Sequence, residues 1–338
     1  MATVALPIQS IERRLRGGTQ ALLVRDQSGN AYVAKCVGNP QGTRTLINEW
    51  IVSRLLQHLR VSTPEVRALR FERGIPGDNL LEFQTGSRKT RVAEGVHFGS
   101  LCPVDPERKA IFDFLPRRLL QKVVNLPDLL MAYVFDKWVH QMDSRQAIFI
   151  RERSGDSSGL FRAYLIDHGL SFGGSRWELG DTALAGLYQD RSIYGEPEFE
   201  AAAHDNVDRI QQLPDTSLFL IENEIPAEWL KGQDRGEMTR LLELLCDRRA
   251  GLHDTIDRAI VQLQQAGIAL PRTVANRRLL CTLLLMSSLP ASLSTIGAHF
   301  KLDVSATPQL DSSGTRGARA GDAADVRFSM RAEYDRFL

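Results

Sequence analysis

Two aspartates each close an apolar segment, and that placement suits them to different tasks in one cleft. Asp143 follows the helical run VFDKWVHQM and precedes the strand-like run QAIFI, while Asp167 ends the run FRAYLI and is followed by His168 and Gly169. A carboxylate on a tight loop can orient or deprotonate a hydroxyl. One at a strand end, ahead of a glycine, can grip a divalent metal. Two charges stand upstream. Lys35 interrupts the apolar run AYVAKCV, and Glu49 lies fourteen residues later, in the first turns of a helical stretch, NEWIVSR. A lysine against phosphates, a carboxylate to hold it, a base and a metal aspartate are the minimum set for phosphoryl transfer. Singly, these residues read as a solvent-facing lysine, a solvated helix glutamate and two turn aspartates. The argument for chemistry is that all four occur, in this order.

Other candidates are weaker. Gly17, Gly18, Thr19 and Gln20 precede the first apolar run. Consecutive glycines let a backbone approach phosphates and aim N–H groups at them, although the spaced glycines of GxGxxG and the GK[ST] of a Walker loop are absent. Gln146 is either a second metal or phosphate ligand or a surface residue. Arg145 is either a brace for the Asp143 loop or a surface residue. His97 sits in a glycine-bracketed loop, EGVHFGS, and is read as structural in preference to phosphate-binding, as is His168.

The elements that must position these residues follow from periodicity. Residues 21–24 and 31–37 flank DQSGN, which is turn chemistry, so residues 13–37 are read as β structure with a hairpin. Leu46, Ile47, Trp50, Ile51, Leu55, Leu56 and Leu59 keep the 3.6-residue period of an amphipathic helix that Thr63-Pro64 would stop. Strands are expected over 66–71 and 79–83. The first hundred residues are thus a small sheet with one inserted helix. Asn125-Leu126-Pro127-Asp128 opens a helix over 125–142 with proline in its first turn. After the two aspartate-bearing strands come helices near 197–212, 226–231, 235–249, 251–266 and 273–288. Residues 304–325 are small and polar and are expected to be disordered, with a short amphipathic or docking segment at the end.

Composition sets the bounds. The chain has 338 residues with 43% hydrophobic and 25% charged, enough to bury a sizeable core. Its 42 basic and 41 acidic groups leave a net charge of +1, so nothing global calls for nucleic acid or a membrane surface. Arginine-rich stretches at 67–73 and 86–91 are the local exceptions, and they are read as solvated charge. Cys36, Cys102, Cys246 and Cys281 form no CxxC pair and are expected to be reduced, which suits the cytoplasm. No secretory leader is expected, and the longest apolar run, 279–286, is far short of a membrane span.

With these residues in hand, the chain resembles the bacterial HipA-like kinases. The resemblance rests on GGTQ (17–20), VAKCVGNPQGTRTLINEWIVSRL (33–55), GVHFGS (95–100), FDKWVHQMDSRQAIF (135–149) and LIDHGLSF (165–172). DTALAGLYQDRSIYG (181–195) and IPAEWL (225–230) extend it, so that it covers about residues 8–265. It implies an α+β, two-lobed protein-kinase-like fold. An N-lobe sheet with one helix would occupy 8–122, a mostly helical C-lobe 123–300, and a flexible tail 301–338. ATP and Mg²⁺ would lie between the lobes. Lys35 would meet the nucleotide, Glu49 would hold it, Asp143 would be the catalytic-loop aspartate and Asp167 the metal aspartate. The expected activity is phosphorylation of a hydroxyl, with a protein serine or threonine as acceptor and an antitoxin-like protein as a candidate regulator. Phosphatidylinositol kinases share a related arrangement, so a lipid head group or small molecule is an alternative acceptor. The chain departs from the pattern in one respect: Arg145 stands at the usual histidine place and Ile148 at the usual metal-binding asparagine place. Ile148 offers no oxygen to Mg²⁺. The alternative from another class is therefore a nucleotide-binding pseudokinase with a regulatory role.

Overall fold

The computed structural model of the chain describes residues 3–152, 159–181, 184–195 and 198–268. The expected helix at 273–288, the tail 301–338 and Cys281 lie outside the described residues.

The N-terminal part is built on a closed five-stranded barrel with strands β1 (Leu6–Arg14), β2 (Leu22–Asp26) and β3 (Ala31–Lys35), then β4 (Val66–Phe71) and β7 (Gly95–Leu101). The order around it is β1-β2-β3-β7-β4, and the short parallel pairing of Leu6 and Pro7 with Leu69 and Arg70 closes the ring. The expected hairpin is β2–β3. Its turn is held by Asp26, whose carboxylate accepts the N–H groups of Ser28 and Asn30 at 2.9 Å each and the Tyr32 hydroxyl at 3.1 Å. Ile8, Ile11, Val24, Tyr32, Ala34 and Phe71 fill the interior. Because successive strand side chains alternate, Lys35 points out of the barrel.

Out there lies helix α1 (Arg44–His58), whose Leu46, Ile47, Trp50, Ile51, Leu55 and Leu56 enter the main core. The helix ends earlier than Thr63-Pro64: the chain reverses at Arg60, which takes a left-handed φ of +56°. Three further expectations about this part change. Residues 78–80 form a 3₁₀ turn, and the strand expected at 79–83 is β5 (Glu82–Thr85), paired with β6 (Arg88–Arg91). GVHFGS is not a loop but most of β7, paired on both sides with β3 and β4. Gly99 serves packing: a Cβ on it would meet Leu69 Cδ1 at 2.4 Å. And β1, which carries two register shifts against β2, precedes the first strand that was expected.

The C-terminal part is mainly helical. After β8 (Ile111–Phe112) and the single turn α2 (Arg117–Leu120), helix α3 (Pro127–Trp138) begins just inside the expected Asn-Leu-Pro-Asp start. Strands β9 (Gln146–Arg151) and β10 (Phe161–Ile166) pair antiparallel, with β8 on the edge. Helices α4 (Phe199–Gln211), α5 (Asp215–Glu222), α6 (Asp234–Ala250) and α7 (Leu252–Gln265) follow. Of these, α5 was not expected, and the helix expected at 226–231 is one 3₁₀ turn around the buried Trp229. The fold is α+β, with sheet first and helices after. The boundary expected at 122/123 would fall between α2 and α3, and one apolar core runs from α1 through α3 to α7. No described helix is long and apolar enough to cross a membrane.

Trp138 is the anchor of α3, fully buried and donating its indole N–H to the Leu245 carbonyl at 2.9 Å. Trp138→Ala should cost about 3–5 kcal/mol of unfolding free energy, measured by urea denaturation.

Candidate active site

Lys35 is the last residue of β3, and its side chain meets α1 and the end of β10 together. The ammonium pairs with Glu49 Oε1, and with Asp167 Oδ1 at 2.8 Å. The same Glu49 oxygen accepts the Gly169 N–H at 3.0 Å. Burial opposes the charge on Lys35, but Asp167 and Glu49 together raise its pKa above the ordinary lysine value. Lys35 in turn pulls the half-buried Asp167 down to about 2. Burial pushes Glu49 up, against the pull of Lys35. Asp167 itself has a left-handed φ of +59°, a conformation that aspartate tolerates better than most residues and that clusters at functional sites. Gly169 is required by closeness: a Cβ there would lie 3.3 Å from both Glu49 Oε1 and Thr45 Cβ.

The segment after Asp167 is clasped by α1. Asn48, fully buried, directs its Nδ2 to the carbonyls of Gly169, Ser171 and Gly174 at 2.8–3.0 Å. Two hydrogens serve three acceptors, so one is shared. Its Oδ1 accepts the Trp177 indole N–H at 2.8 Å. Arg44, one turn earlier, stacks over Trp177 at 4.3 Å and pairs with Asp234 at 2.7 Å and with Glu237. Sequence reasoning missed Asn48 and Arg44. Both lie in the helix that was foreseen, but nothing local marks an asparagine whose partners are over a hundred residues away.

Asp143 lies on the loop between α3 and β9 and is exposed. Its carboxylate accepts the N–H of Ser144 at 2.7 Å, and its carbonyl accepts that of Gly186 at 2.9 Å. The loop runs beside the Asp167 segment. Met142 N–H donates to Leu170 O at 3.1 Å and Phe172 N–H to Val139 O at 2.7 Å, while Ser171 Oγ donates to Gln141 Oε1 at 2.8 Å. Thus Lys35, Glu49 and Asp167 meet directly, and Asp143 joins them through paired loops. Of the two readings of Arg145, the brace holds: it is buried, and its guanidinium forks onto the buried Asp136 of α3.

Gln146, the first residue of β9, faces Ile166 across the ladder, one residue from Asp167. Its Oε1 is buried with no hydrogen-bond donor. Such an orphan acceptor costs about 1–3 kcal/mol and suits an absent cation. Among the described residues no three His, Cys, Asp or Glu side chains converge as a metal cage. A carboxylate and one amide oxygen fit Mg²⁺ better, since that ion keeps waters and takes its remaining ligands from phosphates.

The glycine turn, residues 17–20, joins β1 to β2. Gln20 N–H closes it onto Gly17 O at 3.1 Å, and the Gln20 side chain exchanges hydrogen bonds with the Gln84 backbone at 2.6 and 2.9 Å. Thr19 is buried, and Gly18 lies so close to Gln41 that a Cβ would meet its Nε2 at 2.5 Å. The turn therefore touches the loop that starts just after Lys35, not the Lys35 cluster itself. His97 is buried in β7, accepting Val37 N–H at Nδ1 and facing Ala93 O with Nε2, each at 3.0 Å. Burial lowers its pKa to about 4, so it is a neutral structural group. In the arginine-rich stretches, Arg67, Arg73, Lys89 and Arg91 each pair with a carboxylate. Cys36 and Cys102 are free thiols pushed up to about 12 by burial.

A family model described as HipA-like kinase matches residues 8–247. Among solved structures, the chain is similar to the Helicobacter pylori proinflammatory kinase CtkA, at 12% identity over 77% of this chain and 99% of that one, with a TM-score of 0.47. It is also similar to the Golgi casein kinase in two structures, one of them with Mn/ADP bound. Both matches are 12% identical over 76% of this chain and 75% of that one, with TM-scores of 0.42. At such values these likenesses assign no residue. No curated protein sequence matches significantly.

Two outcomes follow from the geometry. The folded pKa of Asp167 lies below its ordinary 3.8, so its contribution to stability is present above about pH 4 and is lost as pH falls through about 2. A carbon-detected NMR titration should put its midpoint near 2, and Lys35→Met should return it to about 3.9 or above. Asn48→Leu removes the clasp on residues 169–177 and leaves buried carbonyls unpaired, which should cost about 3 kcal/mol in urea denaturation.

Proposed function

The chain belongs to the HipA-like kinase family, and on that premise we propose that it transfers the γ-phosphoryl group of ATP, with Mg²⁺, to a serine or threonine hydroxyl of a protein. The observation that carries this reading is the single ammonium of Lys35 held by both Glu49 and Asp167. An ammonium has three donors. Two are used by the carboxylates, which leaves the third for a phosphate oxygen. Lys35 thereby neutralises charge that develops on the transferred group. Glu49, buried in α1, fixes where that charge sits. Asp167, ionised well below neutrality, and Gln146 Oε1 are the oxygens that would hold the metal, whose chemistry when bound is to neutralise the phosphates. Asp143 faces solvent, where an acceptor can reach it. As the acceptor oxygen bonds to the γ-phosphorus and the bond to the ADP oxygen breaks, the hydroxyl proton passes to the Asp143 carboxylate. The glycine turn at 17–20 is assigned to the nucleotide because it lies against the loop that follows Lys35.

A protein acceptor is supported by the surface beside Asp143. The stretch 184–188 runs along the Asp143 loop, with Arg145 N–H on Leu187 O at 3.1 Å and a parallel bridge from Arg145 to Tyr188. Exposed Met142 and Leu184 flank it, at 45% and 55% exposure. An apolar rim suits an extended peptide better than a charged head group. The cytoplasm, where ATP is held, is the compartment this reading needs, and a regulatory protein partner of the antitoxin type enters it through the family resemblance alone. One observation favours a second reading, the nucleotide-binding pseudokinase. Ile148 is locked into the β9 ladder opposite Tyr164, at the place where a second metal ligand would stand.

Phosphate transfer from labelled ATP to the protein itself and to a peptide library separates the two. Asp143→Ala should lower turnover about 10²–10⁴-fold with ATP binding intact, and Asp167→Ala should remove the Mg²⁺ dependence of nucleotide binding. Turnover unchanged in both variants, with ATP still bound, would leave the pseudokinase reading standing.

A further inference from the structure

We infer that Arg145 is a positioning residue that fixes the Asp143 loop against the Asp167 loop by locking His168 in one neutral tautomer. The inference rests on the phosphotransfer reading for its catalytic consequence, and on geometry alone for the lock.

Arg145, Asp136 and His168 are each about 1–2% exposed. The guanidinium donates Nε–H to Asp136 Oδ2 at 2.8 Å and one terminal nitrogen to Asp136 Oδ1. Its other terminal nitrogen reaches Ile166 O at 3.2 Å and His168 Nδ1 at 2.8 Å. Arginine has no acceptor and keeps its protons. His168 Nδ1 must therefore be bare, and the ring proton must sit on Nε2. That nitrogen faces Thr63 Oγ1 at 3.3 Å, and the threonine hydroxyl donates onward to Leu165 O at 2.9 Å. Every donor in the chain Arg145–His168–Thr63–Leu165 then points one way. The direction is set at its first member, which cannot reverse.

The consequence is geometric. Arg145 lies two residues after Asp143, and His168 directly follows Asp167. The Asp136 fork fixes Arg145 to α3, so one planar side chain links the two functional loops to the rigid helix, beside the hydrogen bonds that run directly between them. The charged groups around the His168 ring are Arg145 from the loop before β9, Lys35 from β3, Glu49 from α1 through the adjacent Gly169 N–H, and Asp167 on its own loop. A second ring proton, on Nδ1, would face the guanidinium.

A purely structural Arg145 would act through Asp136 alone, and the test separates the two roles. Nitrogen-15 NMR of the histidine rings at pH 7 should show the His168 proton on Nε2 in the full chain. In Arg145→Lys, which keeps the charge but cannot fork to both partners, His168 should become a mixture of the two tautomers. The kcat of Arg145→Lys should fall about 100-fold with KM for ATP changed less than about threefold, as misplacement by about 1 Å predicts. His168→Asn, which can still present an acceptor to Arg145, should retain at least about a tenth of the activity, while His168→Leu should lose about 100-fold. Unchanged tautomer and kcat in Arg145→Lys overturn the inference. If Arg145→Lys does not fold, equal activities of His168→Asn and His168→Leu overturn it. A wild type that transfers no phosphate refutes the phosphotransfer reading, and the NMR arm then judges the lock on its own.

Discussion

A buried ammonium is the constraint to which the rest of the structure answers. Removing Lys35 from water is unfavourable unless opposite charge is brought to it, and here the two carboxylates come from different elements: Glu49 from α1 and Asp167 from the end of β10. The barrel strand, the helix and the hairpin must therefore meet within a hydrogen bond's tolerance. Much of what surrounds them maintains that meeting. Arg44 ties the start of α1 to α6, and Trp50 and Arg54 tie its middle to Glu224 just after α5. Asn48 clasps the backbone that follows Asp167. The helix carrying Glu49 is thus held along its length to the helical part of the molecule, so Glu49 stays with Asp167 as well as with Lys35.

The sequence made visible whatever depends on short range. The β2–β3 hairpin could be read because Asp26, Ser28 and Asn30 close it within five residues. Helices α1 and α3 could be read because their apolar period is satisfied on one face. The spacing of Lys35 and Glu49 and the strand-end position of Asp167 were equally local, and the structure brings these three side chains together. What escaped is long-range. β1 pairs irregularly with β2 and closes the barrel with β4, a partner some sixty residues on. β7 looked like a loop because its glycines, one of which lets Leu69 pack against the backbone, resemble turn residues. Asn48, Asp136 and Arg145 have ordinary local settings, and their partners lie far along the chain or on another element. Arg145 left a brace and a surface position equally open because sequence alone cannot say that Asp136 is buried beneath it.

The Asp143 loop is where the family pattern and this chain diverge, and the two divergences are physically different. Arg145 in place of a histidine fits a changed environment: a buried carboxylate beneath it and a neutral imidazole beside it, each matched to a donor-only side chain. Ile148 is of another kind. It removes an oxygen from the face of β9 that looks toward Ile166 and Tyr164 and substitutes nothing in its place.

Gln146 is on that same face, since strand side chains alternate with a period of two. It lies one step closer to Asp167 than Ile148 does, and its Oε1 is buried and unpaired. An orphan amide oxygen in a buried position is destabilising by itself, whereas an apolar residue at 148 fits its buried surroundings without cost. The two observations balance only if something other than protein satisfies Gln146. Under the phosphotransfer reading that partner would be a cation held with Asp167, two residues nearer the start of the strand than position 148. The longer glutamine side chain suits such a shift, because it reaches one methylene farther than the asparagine it replaces.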